Sequence, residues 1–583
     1  MSPSPFQFQP PDLLHHPTLS CTLRGKISES TSTIQFRGLK YAIIPSRWQD
    51  SIPITTLTPN DSSGAVYDAT HFGPSCPQKL GAQAWDLTLV GPHTLKTEEG
   101  QGETERFDEF ECLHANVTVP LCALSSNLNG IKGGGPEPGL PVLIWVHGGA
   151  LSMGSNSWPQ YSLSSLVSHA AEIGKPIIGV ALNYRVGIFG FLASSEVGAA
   201  GNYGYKDLVN GCRWVKRCIR GFGGDPRNVT AMGESAGAIA LSTLLWRGGN
   251  AGEGEGERLF ERVGVMSGDV TLRKPRGMGW QNRMYADQLR YLGLDGRLGK
   301  EERVKRLREM PWEEMCEKLP LAQHFCGCVD GVWLKGGVTL DILAGGREGI
   351  HKPRWCREFV VGDTAHDGTV LKARILDNPK SLPTLYALCK QHLSPSETHS
   401  LLSAYNLLPT SSLSSQKRGL LTLCTELRFY LPSLCVHTGW KAFPFPSPSS
   451  PSVAKSYRYH FHATNPFPGP FHGLSSHELD VAFLLQNYNL HLPVLSKKSA
   501  QMMAEYFIRI IRGEGWGSED VVTVFGDQDV EVLREGVYDE RFREGRGKVL
   551  RKIGAHRLWV LVEALQGVRA DEERVEVGVG AKL

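Results

Sequence analysis

Two marks of a membrane or secreted protein are missing from this sequence of 583 residues. No window approaches the run of about 18 apolar residues that a membrane-spanning helix requires. The first residues, MSPSPFQFQPPDLLHH, contain neither the basic nor the apolar segment of a secretory signal. We therefore expect a cytoplasmic protein with no transmembrane segment. A secreted protein whose signal had been removed would have the same start.

An excess of charge of one sign is also absent. The sequence has 62 Lys and Arg against 59 Asp and Glu, a net charge of +3, with both signs interspersed. No basic run is available to neutralise a nucleic-acid backbone or an anionic membrane surface. Composition therefore predicts no nucleic-acid partner.

Cysteine pairs with the spacing of metal ligands are missing as well. The 13 cysteines are scattered without a C-x-x-C pair, and Cys326 and Cys328 are too close together for a zinc knuckle. We expect most of them to be buried thiols, and we predict neither a metal site nor a cofactor.

Apolar runs bounded by Gly or Pro alternate with longer helix-like stretches, which predicts an α/β protein. In the segment from Tyr205 to Ile219, apolar residues recur at the spacing of one helical face. The regions 285–345 and 385–440 also have a mostly helical pattern, and loops are expected at 129–139, 248–257 and 444–452. Strands are predicted at 141–147, 176–184, 228–233, 262–268, 357–363 and 456–462.

The segment AMGESAGA contains a candidate nucleophile, Ser235. The preceding VTAM is strand-like, and the following AGAIALSTLLW is apolar and compatible with a helix. Gly233 and Gly237 flank the serine at two residues on either side, where small residues allow a strand to turn tightly into a helix. This context predicts a nucleophile elbow rather than a chance match in a glycine-rich chain.

A second glycine pair follows the strand LIWV as His147-Gly148-Gly149-Ala150. Consecutive glycines at such a place allow backbone N–H groups to turn towards the negative oxygen of a tetrahedral intermediate. We predict an oxyanion hole formed by the amides of Gly148, Gly149 and Ala236.

With these motifs the chain resembles a type-B carboxylesterase, the cholinesterase-like branch of the α/β-hydrolase fold. The resemblance implies a large, mostly parallel central sheet flanked by helices, with helical insertions over the active site. It also implies one catalytic domain over residues 1–583, with a divergent, mostly helical substrate-pocket region at about 270–470. The motifs that carry the resemblance run in the family's order: FRGLKYAIIPSRW, FGPSCPQ, ECLHANV, VHGGA, NYRVGIFGFL, GNYGYKDL and FGGDPRNVTAMGESAGA.

The resemblance places the catalytic acid before a glycine, in a loop that follows a late strand. In EFVVGDTAHDGTVL this residue is Asp367, although the family more often has glutamate there. Asp363 lies closer to the strand end and is the alternative. We favour Asp367.

Two histidines in GPFHGLSSHELDVAFLLQ are candidates for the catalytic base. His477 is followed by an acid three residues later, Asp480, and then by an apolar helix start, which matches the family's spacing. His472, which is followed by a glycine, is the alternative base. Its simpler interpretation is an exposed histidine in a loop. We favour His477, and interpret His147 as part of the oxyanion loop and His366 as a neighbour of the acid.

Other positions take their roles from the resemblance alone. Glu234 and Ser267 match residues that support the site from behind, and a disulfide between Cys76 and Cys112 is implied. In the family, an acidic residue at the position of Phe110 usually forms an ion pair with Arg47. Because this position is phenylalanine here, Arg47 is expected to lack its usual partner. In total these features predict a serine hydrolase that acts on a small or medium-sized carboxylic ester. The alternatives are amide, thioester or lactone opening, or a binding protein of the same fold without catalysis.

Overall fold

The computed structural model describes residues 12–91, 95, 105–123, 139–249, 256–294, 296, 298–321, 323–345, 352–353, 355–442, 454–561 and 563–564. The predicted loops at 129–139, 248–257 and 444–452 lie wholly or mostly outside these residues.

The central element is an eleven-stranded sheet. Its spatial order is β11-β10-β9-β8-β7-β6-β4-β5-β3-β2-β1. The strands β4 to β10 are parallel to one another, and the strands at both edges are antiparallel. In chain order they are β1 (Lys26–Ser28), β2 (Thr33–Lys40), β3 (His114–Pro120), β4 (Leu140–Val146), β5 (Ile178–Leu182), β6 (Gly224–Glu234), β7 (Arg262–Met266), β8 (Glu358–Thr364), β9 (Lys455–Phe461), β10 (Val521–Phe525) and β11 (Val530–Arg534).

Helices pack against this sheet, because most residues of its parallel strands are buried and both faces must be covered. Among the helices that the structure describes, none is both long and apolar enough to cross a bilayer. The helices are α1 (Ala82–Leu87), α2 (Ser164–Glu172), α3 (Gly187–Phe191), α4 (Tyr203–Cys218), α5 (Ala236–Gly249), α6 (Met278–Tyr291), α7 (Lys300–Glu309), α8 (Trp312–Lys318), α9 (Leu340–Leu343), α10 (Ser381–His392), α11 (Pro395–Ala404), α12 (Leu413–Thr425), α13 (Leu431–Ala442), α14 (Leu479–Leu485), α15 (Val494–Arg512), α16 (Glu535–Phe542) and α17 (Arg546–Ile553).

The α/β prediction and all six predicted strands are confirmed. The third strand, β6, begins earlier than predicted, at Gly224, because Gly224 already pairs with Leu140 before an irregularity in the ladder. The predicted helix at Tyr205 to Ile219 is α4, and its apolar stripe is fully buried. The pattern did not predict β10, β11 or the three strands at the amino-terminal edge.

The described residues of the region at 270–470 form the helices α6 to α13 and also contribute β8 and β9 to the central sheet. Two of its turns are π-helical, at Lys372–Leu376 and Glu426–Tyr430. The second of these joins α12 to α13 without a break. Helix α13 packs against β8 and β9, the two strands that precede the candidate catalytic acid and base.

A buried ion pair fixes the segment after β5 to helix α4. The Nε and Nη2 atoms of Arg185 lie 2.7 and 2.8 Å from the carboxylate oxygens of Asp207. Asp207 also accepts a hydrogen bond from the hydroxyl of Ser51 at 2.6 Å. Both side chains of the ion pair are almost completely buried. A buried pair of this kind is costly to break, because the remaining charge has no solvent to stabilise it.

We expect Asp207→Asn to lower the free energy of unfolding by about 3–5 kcal/mol, since it leaves the Arg185 charge buried and uncompensated. Chemical denaturation of the two proteins measures the difference. The matched control is Glu257→Gln, which removes the carboxylate of an exposed pair with Arg213 on the same helix. That control is expected to cost less than about 1 kcal/mol. Equal effects of the two variants would contradict the prediction.

Candidate active site

Ser235 lies at the turn between strand β6 and helix α5, with a φ of 49°. A non-glycine residue in this left-handed region is strained, and such strain persists only where neighbouring contacts hold it. The Ser235 N–H donates to the carbonyl of Met266 at 2.9 Å, and its carbonyl accepts from the N–H of Ile239 at 2.9 Å. The serine is therefore held at a sharp strand–helix turn, as the sequence predicted.

The two flanking glycines are required by the close approach of the backbones. A Cβ at Gly237 would lie 2.0 Å from the carbonyl oxygen of Val146, and one at Gly233 would lie 2.8 Å from the same atom. A Cβ at Gly148 would lie 3.5 Å from the Cβ of Ser235. The end of β4 is thus pressed against the serine turn, and this contact brings the predicted oxyanion loop to Ser235.

The oxyanion loop itself has an unusual backbone. Gly149, Ala150 and Leu151 all have positive φ, at 101°, 57° and 61°. No described residue accepts a hydrogen bond from the N–H of Gly148 or Gly149. Ala236 is the first residue of α5, where N–H groups have no partner within the helix. The three predicted amides therefore have free donors next to Ser235.

His477 and Asp367 form a buried pair. Nδ1 of His477 lies 2.7 Å from Oδ1 of Asp367. The second oxygen of Asp367 accepts from the N–H of Thr364 at 2.9 Å, and the N–H of His477 donates to Oγ1 of Thr369 at 3.1 Å. Both the acid and the base are thus fixed in orientation by hydrogen bonds to the last residue of β8 and to the segment that follows it.

The rival residues have other partners. Asp363 lies opposite His460 on the neighbouring strand β9, and its Oδ1 is 2.5 Å from Nδ1 of that histidine. His472 is exposed, and its ring lies 3.1 Å from the carbonyl of Phe467. The geometry therefore favours Asp367 over Asp363 and His477 over His472.

The two remaining histidines have supporting positions. His147 is buried against the ring of Tyr184, at a centroid distance of 4.5 Å, and burial lowers its pKa to about 4. His366 accepts a hydrogen bond from the N–H of Ser475 at 3.1 Å, which joins the acid loop to the loop of His477. Among the described residues, neither of them forms a hydrogen bond with the imidazole of His477.

Glu234 faces the other side of the imidazole. Its Oε1 lies 3.0 Å from Nε2 of His477, and the whole side chain is buried. Nε2 has no well-oriented hydrogen-bond partner among the described residues, so no hydrogen bond to Ser235 is formed. Such bonds are often loose in structures without substrate and tighten in the complex.

Carboxylates control the charge of the imidazole. Burial alone would lower the pKa of His477, but Glu234 and Asp367 raise it well above its usual range. Burial in turn raises the pKa of Glu234.

Asp480 accepts a hydrogen bond from the hydroxyl of Tyr459 at 2.8 Å, and burial and the neighbouring carboxylates raise its pKa to about 8. Ser267 is buried with a φ of 49° and no partner for its hydroxyl among the described residues.

A second group of buried acids was missed by sequence reasoning. The hydroxyl of Tyr161 lies 2.5 Å from Oε1 of Glu478 and 3.1 Å from Oδ2 of Asp86. Burial raises the pKa of Asp86 to about 7 and that of Glu478 well above its ordinary value. The available signal was that Glu478 directly follows the predicted base. Its partner Asp86 is remote in sequence and belongs to no motif.

One expectation about supporting contacts needs correction, and a second stays a prediction. Arg47 does have an acidic partner: its Nη2 and Nε lie 2.6 and 2.7 Å from the carboxylate of Glu109, the residue before Phe110. Cys76 and Cys112 are buried free thiols, so the implied disulfide is not formed in the structure. A direct interaction with Cys76, together with burial, raises the pKa of Cys112. The bridge stays a prediction for oxidising conditions.

No described residues form a group of three His, Cys, Asp or Glu side chains placed to hold a metal ion. The arrangement at Ser235 instead provides a hydroxyl, an oriented imidazole and free backbone donors.

A mainly parallel sheet with a serine at a strand–helix turn, and with Asp and His following later strands, defines an α/β-hydrolase. More narrowly, the chain belongs to the carboxylesterase family, whose model matches residues 15–512.

Relatives and solved structures agree with this assignment. The chain is 32% identical over 365 residues to Lipase 3 of Yarrowia lipolytica (strain CLIB 122 / E 150), covering 61% of this chain and 63% of that protein. It is 34% identical over 229 residues to the para-nitrobenzyl esterase of Bacillus subtilis (strain 168), covering 38% and 39%. A solved PNB esterase has the same fold, with a TM-score of 0.66 and 22% identity over 92% of this chain and 99% of the other. The sequence alignments thus span less than two thirds of these relatives' lengths.

We expect Glu234→Gln to move the acidic limb of the kcat/KM profile to lower pH. His477 accepts a proton only when it is neutral, so activity falls as the pH drops through its raised pKa, which lies above 6.5. Removing the Glu234 charge destabilises the imidazolium and lowers that pKa. The measurement is kcat/KM against pH for both proteins, and a limb that stays in place or moves upward would contradict the prediction.

Proposed function

We propose that the protein is a serine carboxylic-ester hydrolase that works through an acyl-enzyme. The observation that carries this proposal is the convergence of three features at one turn. They are the strained Ser235, the loop of Gly148 and Gly149 pressed against it, and the oriented pair of His477 and Asp367.

In the first half of the reaction, His477 takes the proton of Ser235 through Nε2 while Oγ attacks the ester carbonyl. The carbonyl oxygen becomes negative and accepts hydrogen bonds from the N–H groups of Gly148, Gly149 and Ala236. The imidazolium then gives its proton to the departing alcohol. In the second half, water is deprotonated by His477, attacks the acyl-enzyme and releases the acid.

Asp367 acts through His477 rather than on substrate. Its hydrogen bond to Nδ1 keeps the proton on that nitrogen, which leaves Nε2 free to accept from the serine. Because Thr364 occupies the second oxygen of Asp367, the first oxygen stays directed at the imidazole. A binding protein without catalysis would need none of these contacts, so they favour the enzyme.

The substrate is a small or medium-sized ester, as expected from the sequence. The Yarrowia lipolytica relative is named a lipase and the Bacillus subtilis relative a para-nitrobenzyl esterase. Rates on p-nitrophenyl esters of graded chain length define the acyl preference, and amide, thioester and lactone analogues test the related acyl chemistries.

We expect Ser235→Ala to lower kcat on any cleaved ester by about 10⁶-fold, since no other group can form the acyl-enzyme. The variant should also fail to react with a fluorophosphonate probe. Labelling of intact protein, followed by mass spectrometry of the labelled peptide, makes the measurement. Labelling at the wild-type rate in the variant would overturn the assignment of Ser235.

A matched pair of variants distinguishes the two candidate acids. Asp367→Asn should lower kcat by about 10⁴-fold, because the amide favours the wrong imidazole tautomer. Asp363→Asn alters a carboxylate that contacts His460, so its turnover per labelled serine should stay within a few-fold of wild type. The reverse order of effects would make Asp363 the acid.

A further inference from the structure

The segment that follows strand β5, residues 183–187, lies beside the oxyanion loop. Strand β5 is the parallel neighbour of β4, so the segments after these two strands meet at the same edge of the sheet. The hydroxyl of Tyr184 donates to the carbonyl of His147, at the start of the loop, at 3.0 Å. The N–H of Gly187 donates to the carbonyl of Leu151, at its other end, at 2.7 Å. Residues 183–187 therefore hold the loop at both ends.

The hydrogen bond from Tyr184 acts on a peptide that carries one of the predicted oxyanion donors. The carbonyl of His147 and the N–H of Gly148 belong to the same peptide unit, which is planar and trans, so the two groups point in opposite directions. The backbone of Gly148 lies against Ser235, since a Cβ there would be 3.5 Å from the Cβ of the serine. By holding the carbonyl, the hydroxyl of Tyr184 also fixes the direction of the Gly148 N–H.

The imidazole of His147 acts in the same way on the next peptide. Its Nδ1 lies 3.0 Å from the carbonyl oxygen of Gly148. Burial lowers the pKa of His147 to about 4, so the ring is neutral near neutral pH and carries a single proton. A carbonyl oxygen can only accept, so this proton is on Nδ1. The same peptide unit contains the N–H of Gly149, whose direction is therefore fixed by His147.

The imidazole of His147 is itself enclosed. The ring of Tyr184 is nearly parallel to it at a centroid distance of 4.5 Å, and the ring of Tyr161 at 6.4 Å. A Cβ at Gly154 would lie 2.2 Å from Nδ1 of His147 and 2.6 Å from the carbonyl oxygen of Gly148. The bond between the imidazole and this carbonyl is thus packed tightly between aromatic rings and backbone.

Tyr184 lies between two residues that have fixed positions. On one side, Asn183 accepts a hydrogen bond from the N–H of Asn156 through Oδ1 at 2.7 Å. On the other side, Arg185 forms the buried ion pair with Asp207 that joins this segment to helix α4. The hydroxyl of Tyr184 is therefore presented to the oxyanion loop from a rigid support.

We propose that Tyr184 and His147 are positioning residues for the oxyanion hole. The hydroxyl of Tyr184 orients the N–H of Gly148, and Nδ1 of His147 orients the next N–H along the chain. The proposal rests on the esterase function proposed above and assigns two further residues to the stabilisation of its tetrahedral intermediate. Negative charge develops on the carbonyl oxygen only in the tetrahedral state, so loss of this orientation lowers turnover and leaves substrate binding unchanged.

The first test is Tyr184→Phe, which keeps the ring beside His147 and removes only the hydroxyl. We expect kcat on p-nitrophenyl butyrate to fall by roughly 10- to 100-fold without a change in KM, since complete removal of an oxyanion donor costs about 10²–10³. End-point labelling with a fluorophosphonate counts the folded active sites. A kcat per labelled serine equal to that of the wild type would overturn the role of Tyr184.

The matched control is Tyr67→Phe. Tyr67 lies in the strand Val66–Asp68 and likewise donates to a backbone carbonyl, that of Gly38, at 2.9 Å. The control loses the same kind of bond away from the oxyanion loop, so its kcat should equal that of the wild type. An equal loss of kcat in Tyr67→Phe and Tyr184→Phe would contradict the proposal.

The second test separates oxyanion stabilisation from a change in the shape of the pocket. A trifluoromethyl ketone with the acyl chain of the ester forms a bond from its carbonyl carbon to Oγ of Ser235. The serine proton passes to Nε2 of His477, and the electron pair of the carbonyl bond moves to the oxygen, which becomes an oxyanion. The secondary alcohol obtained by reducing this ketone binds without forming that bond. In Tyr184→Phe, we expect Ki of the ketone to rise as much as kcat falls, and Ki of the alcohol to stay unchanged. An equal rise of both Ki values would overturn the proposal.

The third test uses two variants of His147. In His147→Asn, the amide nitrogen takes the place of Nδ1 and can still donate to the carbonyl of Gly148, whereas the side chain of His147→Leu has no donor. We expect His147→Leu to lower kcat by about 10-fold, the upper value for one neutral hydrogen bond, and His147→Asn to recover most of this loss. Equal kcat values for the two variants would overturn the role of His147.

These tests distinguish this proposal from the proposed function. If the wild type hydrolyses no ester and Ser235 is not labelled, the esterase proposal itself fails. If the wild type cleaves esters and Tyr184→Phe cleaves them at the same rate, only the positioning role fails.

Discussion

The candidate site depends on one steric constraint, the contact of the serine turn with the carbonyl of Val146. A side chain at Gly237 would collide with that oxygen, so helix α5 can start this close to β4 only with glycine there. The contact sets the strained conformation of Ser235, and it also brings Gly148 beside the serine. One close approach of two parallel strands thus positions both the nucleophile and the donors that would stabilise its product.

Behind this turn, one imidazole is surrounded by buried carboxyl groups. Glu234 and Asp367 contact His477 directly, and the pair of Asp86 and Glu478 lies beyond Tyr161. So many carboxylates cannot all be charged in a buried place, and their raised pKa values mean that some hold protons near neutral pH. The charge of the imidazole is therefore set by the whole group of acids.

Sequence patterns predicted the parts of the protein that local physics determines. Burial requires long apolar strands, and steric crowding requires the glycines around Ser235. Both features can therefore be recognised in the sequence. Local burial and crowding could not distinguish Asp363 from Asp367 as the catalytic acid, because the answer depends on which strand lies next to β8. In the structure His460 on β9 pairs with Asp363, and this leaves Asp367 for His477. Arg47 shows the same limit, since a shift of one residue was enough for Glu109 to replace the expected acid.

The pair of Asp86 and Glu478 could be predicted least, because it joins two segments that are far apart in the chain and follow no motif. Glu478 is next to the candidate base in the sequence, whereas Asp86 reaches it only through the hydroxyl of Tyr161. The carboxylates around His477 stabilise the positive imidazolium that forms when Ser235 attacks, and the amount of this stabilisation depends on how many of them are charged. The contribution of these acids to the reaction therefore follows from the folded structure and not from the motif around the base.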